Sequence, residues 1–377
     1  MLALRLIRGA RPTAQLRRLL VALAAGGVGF LLLGALGYAL DHPGDPGPAL
    51  VRLLWCLIPL AAVVQLAVAV ARRDPGAEQR AGLDAAGLGP AGLVRLAAVS
   101  TAVSMLLGSA LALLVFLHLR GDVTGMPFDG SAGDGLAARR DLPVPATLTL
   151  LLLPPTAAVV ATARALRAGP PAAGADGGRR RQGVPVTLPW GAALVATGLT
   201  VEGYAARDLP AGAGPSEGMV TGVLAGWLLI AAGLVLAGPA VTELAGRLLT
   251  AWRPGAVRLL AGRVLLADAG RLGGPVGVLT AVAWSALTAA LLYGAELLGP
   301  FTVLGALVVV GCSVGTVWVT AGRGREERVA TSDGLRDLGA SVGLLRRAAA
   351  LRVAVPALLL LPLVLAVARL ATLPLAG

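Results

Sequence analysis

Long apolar runs alternate along the chain with short segments rich in arginine, glycine and proline. A hydrocarbon layer about 30 Å thick needs roughly 20 apolar residues per helix. Nine runs meet or approach that length: Leu19 to Leu40, Val51 to Ala71, Leu93 to Leu119, Val144 to Ala163, Val184 to Tyr204, Met219 to Val241, Val276 to Leu298, Phe301 to Thr320 and Ala348 to Ala368. The pattern predicts an all-α, polytopic integral membrane protein with about nine transmembrane helices. Pro154-Pro155 should kink the fourth span, and the ninth, with Pro356 and Pro362 inside it, is the least regular.

Composition sharpens this. Of 377 residues 56 % are hydrophobic and 14 % charged, and the mean hydropathy is +0.81, a balance with which a soluble domain does not dissolve. The 32 basic residues are all arginine. That usage, on an Ala- and Gly-rich background, points to a high-GC bacterial genome. Without lysine the chain lacks the phosphate-loop residue of GxxxxGK[ST], any Schiff-base lysine and any Ser-Lys dyad. Cys56 and Cys312 lie singly within apolar runs and read as small hydrophobes.

The arginines also orient the stack. If the N-terminus is cytoplasmic, six of the 32 fall outside: Arg52, Arg120, Arg139, Arg140, Arg207 and Arg369. The other 26 fall inside, and arginine resists translocation, so the expected topology is N-terminus cytoplasmic and C-terminus external in a bacterial plasma membrane. The net charge of +12 is then an orientation signal rather than a mark of nucleic-acid binding. The first run ends in Gly37-Tyr38-Ala39-Leu40-Asp41, which lacks an A-x-A site and predicts an uncleaved span. The longest external segment, Arg120 to Pro143, is too short and glycine-rich to form a domain.

The two ends of the chain resemble each other. Ala3-Leu4-Arg5-Leu6-Ile7 matches Ala261-Gly262-Arg263-Val264-Leu265, and each leads through a basic amphipathic stretch into a Gly/Ala-rich span. These read as interfacial elbow helices with Arg5, Arg8 and Arg263 toward lipid phosphates. After the second span come Glu78, Arg80 and Leu83, then Leu88-Gly89-Pro90-Ala91-Gly92-Leu93-Val94-Arg95. After the eighth come Glu327 and Arg328, then Leu335-Arg336-Asp337-Leu338-Gly339-Ala340-Ser341-Val342-Gly343-Leu344-Leu345-Arg346. The shared order is a charged stretch, a short apolar helix, a Leu-Gly break and re-entry into the membrane. Half-apolar, half-charged helices of this kind can lodge in a groove of a cytosolic partner, and glycine after the last leucine permits the turn back.

Leu335-Arg336-Asp337-Leu338-Gly339-Ala340-Ser341 resembles the LRxLGAS-type coupling segment of FtsX-like permeases, the membrane subunits of MacB-type ABC transporters. The opening Leu4-Arg5-Leu6 with Arg8 is similar to the start of each such permease unit. The resemblance implies two parallel units, 1–163 (elbow plus four spans) and 256–377 (elbow plus three), joined by a linker and two-span insert over 164–255. The external loops are short, and the second unit has one span fewer than the family pattern. The implied role is a non-catalytic permease subunit, holding no cofactor of its own, docked on a cytosolic ABC ATPase dimer that binds the ATP. The implied coupling residues are Glu78, Arg80, Leu83, Leu88, Gly89, Glu327, Arg328, Leu335, Arg336, Leu338 and Gly339. The implied cargo is amphiphilic, a lipid, lipoprotein or antimicrobial peptide. Membrane lipids are the second partner, and the missing helix leaves place for a second permease subunit.

Parallel repeats share the symmetry of an ATPase dimer beneath them. The linker Arg164 to Gly183, with Pro170-Pro171 and Arg179-Arg180-Arg181, reads as a basic tether. Other chemistry is sparse. Glu202 and Glu296 fall near outer span ends, Glu243 at an inner end and Asp268 in a cytoplasmic segment, where each is expected to be wet. Gln65 is the one strongly polar mid-span side chain and should bond across helices. His42 and His118 are isolated, with neither HExxH nor carboxylate partners, so no metal site is expected. Gly222-xxx-Gly226 and Gly311-xxx-Gly315 read as close-packing surfaces, and Trp190 and Trp318 as interfacial anchors. The alternative class is a secondary transporter or channel-like protein, and a third is an integral-membrane enzyme, disfavoured by the lack of a polar constellation.

Overall fold

A computed structural model of the full chain describes residues 12–44, 46–73, 89–123, 130–138, 140–167, 187–207, 217–251, 255–293, 299–327 and 341–373. Of the described residues 92 % are helical, with no strand among them. In chain order the helices are α1 (Pro12–Asp41), α2 (Pro46–Trp55), α3 (Leu57–Arg73), α4 (Pro90–Arg120), α5 (Val144–Arg167), α6 (Thr187–Arg207), α7 (Glu217–Thr250), α8 (Ala256–Tyr293), α9 (Pro300–Glu327) and α10 (Val342–Thr372). A single 3-10 turn, Gly133–Leu136, lies between α4 and α5. Four helices begin on proline, whose missing N–H is no loss in a first turn.

Seven of these are long and apolar enough to cross a membrane: α1, the α2–α3 pair, α4, α5, the main part of α7, α9 and α10. Apart from Cys56, the nine apolar runs are helical in their described parts, but among the described residues the count of span candidates is seven. The two that drop out are Val184 to Tyr204 and Val276 to Leu298. The first is α6, only 21 residues long and diluted by Pro189, three glycines, three threonines and Glu202. The second is the end of α8, whose apolar stretch runs on into residues outside those described.

Prolines leave different marks on two of these helices. The second run is not one helix but two, broken at Cys56. Pro59 has no N–H for the Trp55 carbonyl and crowds it. Cys56 N–H is shared between Arg52 O and Leu53 O, both at 3.2 Å, and Leu60 N–H reaches Cys56 O at 3.1 Å. By contrast α5 continues through Pro154-Pro155, with both rings buried, as one unbroken helix. Pro155 leaves the Leu151 carbonyl without its helical donor, and the Ser109 hydroxyl of α4 donates to that oxygen at 2.9 Å. An orphaned carbonyl within an apolar bundle is thereby satisfied from the next helix.

The chain divides into two compact units. The first comprises residues 1–179 with Gly299–Val319, and the second Arg180–Leu298 with Thr320–Gly377. Helix α9 is shared, with Pro300–Val319 belonging to the first unit.

In the first unit α1 is the hub, packed on α3, α4 and α5, and 56 % of its apolar window is buried. A core of Leu33, Ala112, Phe116, Leu136 and Leu151 is flanked by Phe30 and Phe301. Phe30 meets Phe116 edge-on at 5.8 Å and stacks on Phe301 at 6.0 Å. The α1–α9 contact alternates large and small residues in steps of seven: Leu20 against Gly315, Gly27 against Val308, Gly34 against Phe301. Gly311 faces open space, so of the expected pair only Gly315 packs closely. Gln65 is half-buried and makes no side-chain hydrogen bond among the described residues, against the expected cross-helix bond.

The described residues after α4 are held by specific contacts. Gly121 closes α4 with φ +93°, its N–H bonding His118 O while Asp122 N–H reaches Leu117 O, the paired bonds of a Schellman cap. Arg120, 5 % exposed, pairs with Asp122 at 3.2 Å and donates to the Arg140 carbonyl. Leu136 of the 3-10 turn is inserted beside α1 at Gly37.

In the second unit α7 is central, packed on α6 and α8, with α10 against α8. The α6–α7 seam is built from reciprocal glycines: Gly191 opposite Gly233, Gly198 opposite Gly226, and Ala205 opposite Gly222. A Cβ at Gly198 would stand 2.7 Å from Gly226 O, and one at Gly226 would stand 2.8 Å from Gly198 O. The expected close packing of Gly222-xxx-Gly226 is thus realised against α6. A second seam pairs Gly238 and Pro239 of α7 with Gly273 and Gly277 of α8.

Candidate functional site

The chemistry-bearing residues singled out in the sequence cluster around two connections, α3 to α4 and α9 to α10. Glu78, Arg80, Leu83, Leu88, Arg328, Leu335, Arg336, Leu338 and Gly339 lie outside the described residues, as do Arg5 and Arg8. Gly89, Glu327 and Arg263 are described. Glu327 is the last residue of α9. Gly89 is exposed and precedes α4 in extended conformation, with Pro90 as the first helical residue.

What the structure adds is how these connections are rooted. Helix α3 ends in Arg72 and Arg73, and the Arg73 guanidinium donates to the Val319 carbonyl of α9 at 3.2 Å. The helices that lead into the two connections are therefore tied together inside the first unit. Leu66 of α3 also lies over Gly315 of α9.

The exit of the second connection is fixed in another way. Ser341, last residue of the Leu335–Ser341 motif, is the N-cap of α10, and its hydroxyl accepts the Leu344 N–H at 3.2 Å. Two turns on, fully buried Ala348 joins Ala245 and Leu249 of α7 and Ala261 and Leu265 of α8. Small residues at this point let the three helices approach closely. Helix α8 has 38 residues, about 57 Å of rise, so it cannot lie wholly within a 30 Å layer. Its first half carries Arg258, Arg263, Asp268 and Arg271, and forms with α7 and α10 a charged stem on which the motif's exit is mounted. Arg263 is exposed on this stem, in a helix continuous with the following apolar stretch rather than in a separate elbow.

A second polar feature was misjudged from sequence. Glu202, expected to be wet, is fully buried. Its Oε1 accepts the Trp227 indole N–H of α7 at 2.8 Å, and Trp227 meets Trp284 of α8 edge-on at 5.7 Å. The available signal was position: Glu202 lies four residues beyond the seam glycine Gly198, directly against Gly226 of the packed seam. Elsewhere, His42 stacks on Tyr38 at 4.3 Å, and Arg52 covers that ring at 3.6 Å. Trp190 and Trp318 are exposed, and both cysteines are buried as free thiols.

Comparison with known protein families, curated proteins and solved structures returns no match. The functional reading therefore stands on the residues themselves.

Proposed function

We propose that the chain is the permease subunit of an FtsX-like ABC system in a bacterial plasma membrane, with the N-terminus and both motif-bearing connections on the cytoplasmic side. In this reading it hydrolyses nothing. A separate dimeric ATPase grips the segments Glu78 to Leu88 and Glu326 to Leu338, and their movement drives export or mechanical transmission, with amphiphilic cargo.

The observation that carries the reading is the rooting of the two motif copies. Both entry helices, α3 and α9, are joined through Arg73 and Val319. The exit of the second copy is capped by the motif's own Ser341 and held on the α7–α8 stem through Ala348. A segment that receives force must connect to helices held by their neighbours, and these contacts support that reading. Differential docking in two nucleotide states would supply the work.

The test is co-purification of the full chain with its ATPase and measurement of stimulated hydrolysis. Replacing Leu338 with Asp or Gly339 with Val should reduce stimulation about tenfold or more, the loss of one buried anchor, while insertion is unchanged. Normal coupling in both variants would refute the docking assignment. One observation favours a second reading as a secondary transporter, namely the buried carboxyl of Glu202. Ion-gradient-dependent uptake by the chain alone would select that reading.

A further inference from the structure

Glu202 leaves one carboxyl oxygen over. Oε1 is bonded to Trp227, while Oε2 is buried and has no partner among the described residues. Two polar atoms of α8 share this condition, Trp284 Nε1 and Thr288 Oγ1, both on fully buried residues. The three are mutually complementary. The indole N–H can only donate, the carboxyl oxygen needs a hydrogen-bond partner, and a hydroxyl does both.

Helix register brings them to one level. Gly226 of α7 stands against Glu202. Gly277 of α8 stands against Val235 of α7, so continuing the antiparallel register sets Thr288 beside Leu224. The two positions on α7 differ by two residues, about 3 Å of rise. Trp284 lies one turn from Thr288 and touches Trp227, which already holds the carboxyl.

We propose that Glu202 Oε2, Trp284 Nε1 and Thr288 Oγ1 enclose a binding site for one water molecule, which joins α6, α7 and α8 at the end of the unit that carries the 207–217 connection. Water is the occupant that fits the donor set. It accepts from the indole, exchanges a hydrogen bond with the hydroxyl and completes the carboxyl, the three bonds typical of a buried water. A metal cation fits worse, because the indole N–H points positive charge at the site.

The charged groups on the surrounding helices do not compete. Arg207 on α6 and Arg369 on α10 are exposed, and Arg346, Arg347 and Arg352 stand in the first three turns of α10, on the stem side with Ala348. On α7 and α8 the described charged side chains, Glu243, Arg247, Arg258, Arg263, Asp268 and Arg271, belong to the stem, three or more turns away along their helices. The site is independent of the ABC reading, since it uses none of the coupling residues.

A double-mutant cycle on the full chain in lipid nanodiscs tests it. Thr288→Val should lower the folded-to-unfolded ratio roughly three- to fifteen-fold, the range for a buried interhelical hydrogen bond, and Thr288→Ser should restore it. In a Glu202→Met background the water has lost its anchor, and Thr288→Val should cost less than about twofold. If Glu202→Met does not fold, Trp284→Phe keeps the ring and replaces it in the cycle, with the same non-additivity expected. A density map fine enough to resolve ordered water should show one peak within hydrogen-bond reach of all three atoms. Equal losses in both backgrounds, an empty or directly bonded triad in the map, or stability that requires sodium in place of choline would each overturn the proposal.

Discussion

The hydroxyl of Ser109 and the ring of Pro155 make a prediction that separates a cross-helix bond from mere packing. Pro155 cannot donate to Leu151 O, and Ser109 does so at 2.9 Å from a site that is 4 % exposed. Ser109→Ala removes one oxygen and strands a buried carbonyl. Leaving such a group unsatisfied costs about 1–3 kcal/mol, and measured interhelical bonds in membranes run from about 0.6 to 1.7 kcal/mol. A loss near 1 kcal/mol is the working value. Pro155→Ala restores an N–H at the position from which an α-helix supplies Leu151 O, so the serine becomes redundant. In that background Ser109→Ala should cost only a few tenths of a kcal/mol, leaving a coupling of about 1 kcal/mol across the cycle. Reversible unfolding of the four proteins in one detergent, followed by tryptophan fluorescence, measures it. If Ser109→Ala costs the same with proline or alanine at 155, the serine is not serving the proline-orphaned carbonyl and the explanation for the unbroken α5 fails.

Three further outcomes follow from the geometry. Gly226→Leu places a branched side chain where even a Cβ would stand 2.8 Å from Gly198 O, and should destabilise by about 1–3 kcal/mol through overpacking; a thermal shift indistinguishable from zero would contradict the glycine seam. Gly121→Ala forces a side chain onto φ +93° beside Gly130 and should cost about 1–2 kcal/mol, read as faster proteolysis of the 120–143 segment in the folded protein. Arg73→Gln weakens the α3–α9 link to Val319 and should lower ATPase stimulation while leaving expression in the membrane intact; unchanged coupling would show that this link transmits nothing.

Hydropathy carried the helices because withdrawal from water is a property of each segment. Apart from the turn at Cys56, all nine apolar runs are helical in their described parts. It did not carry the partners of those helices. The contact of α1 with α9 depends on Leu20, Gly27 and Gly34, seven residues apart, meeting Gly315, Val308 and Phe301 at the same spacing, and 52 glycines in the chain hide that pattern. The break at Cys56 and the continuity at Pro154-Pro155 differ for a reason no local rule contains. Pro155 has Ser109 across the interface to satisfy the freed carbonyl, and that partner lies 42 residues away in the chain. Glu202 was misjudged likewise, since its burial is set by Gly226 and Trp227 of the next helix.

The central functional claim is that both motif-bearing connections lie on the same, cytoplasmic side. In a chain freed of Cys56 and Cys312, Leu83→Cys and Arg336→Cys placed one at a time can be challenged with a membrane-impermeant thiol reagent in intact cells and in inverted vesicles. The account predicts labelling of both positions in inverted vesicles and of neither in intact cells. Labelling of either from outside would contradict it.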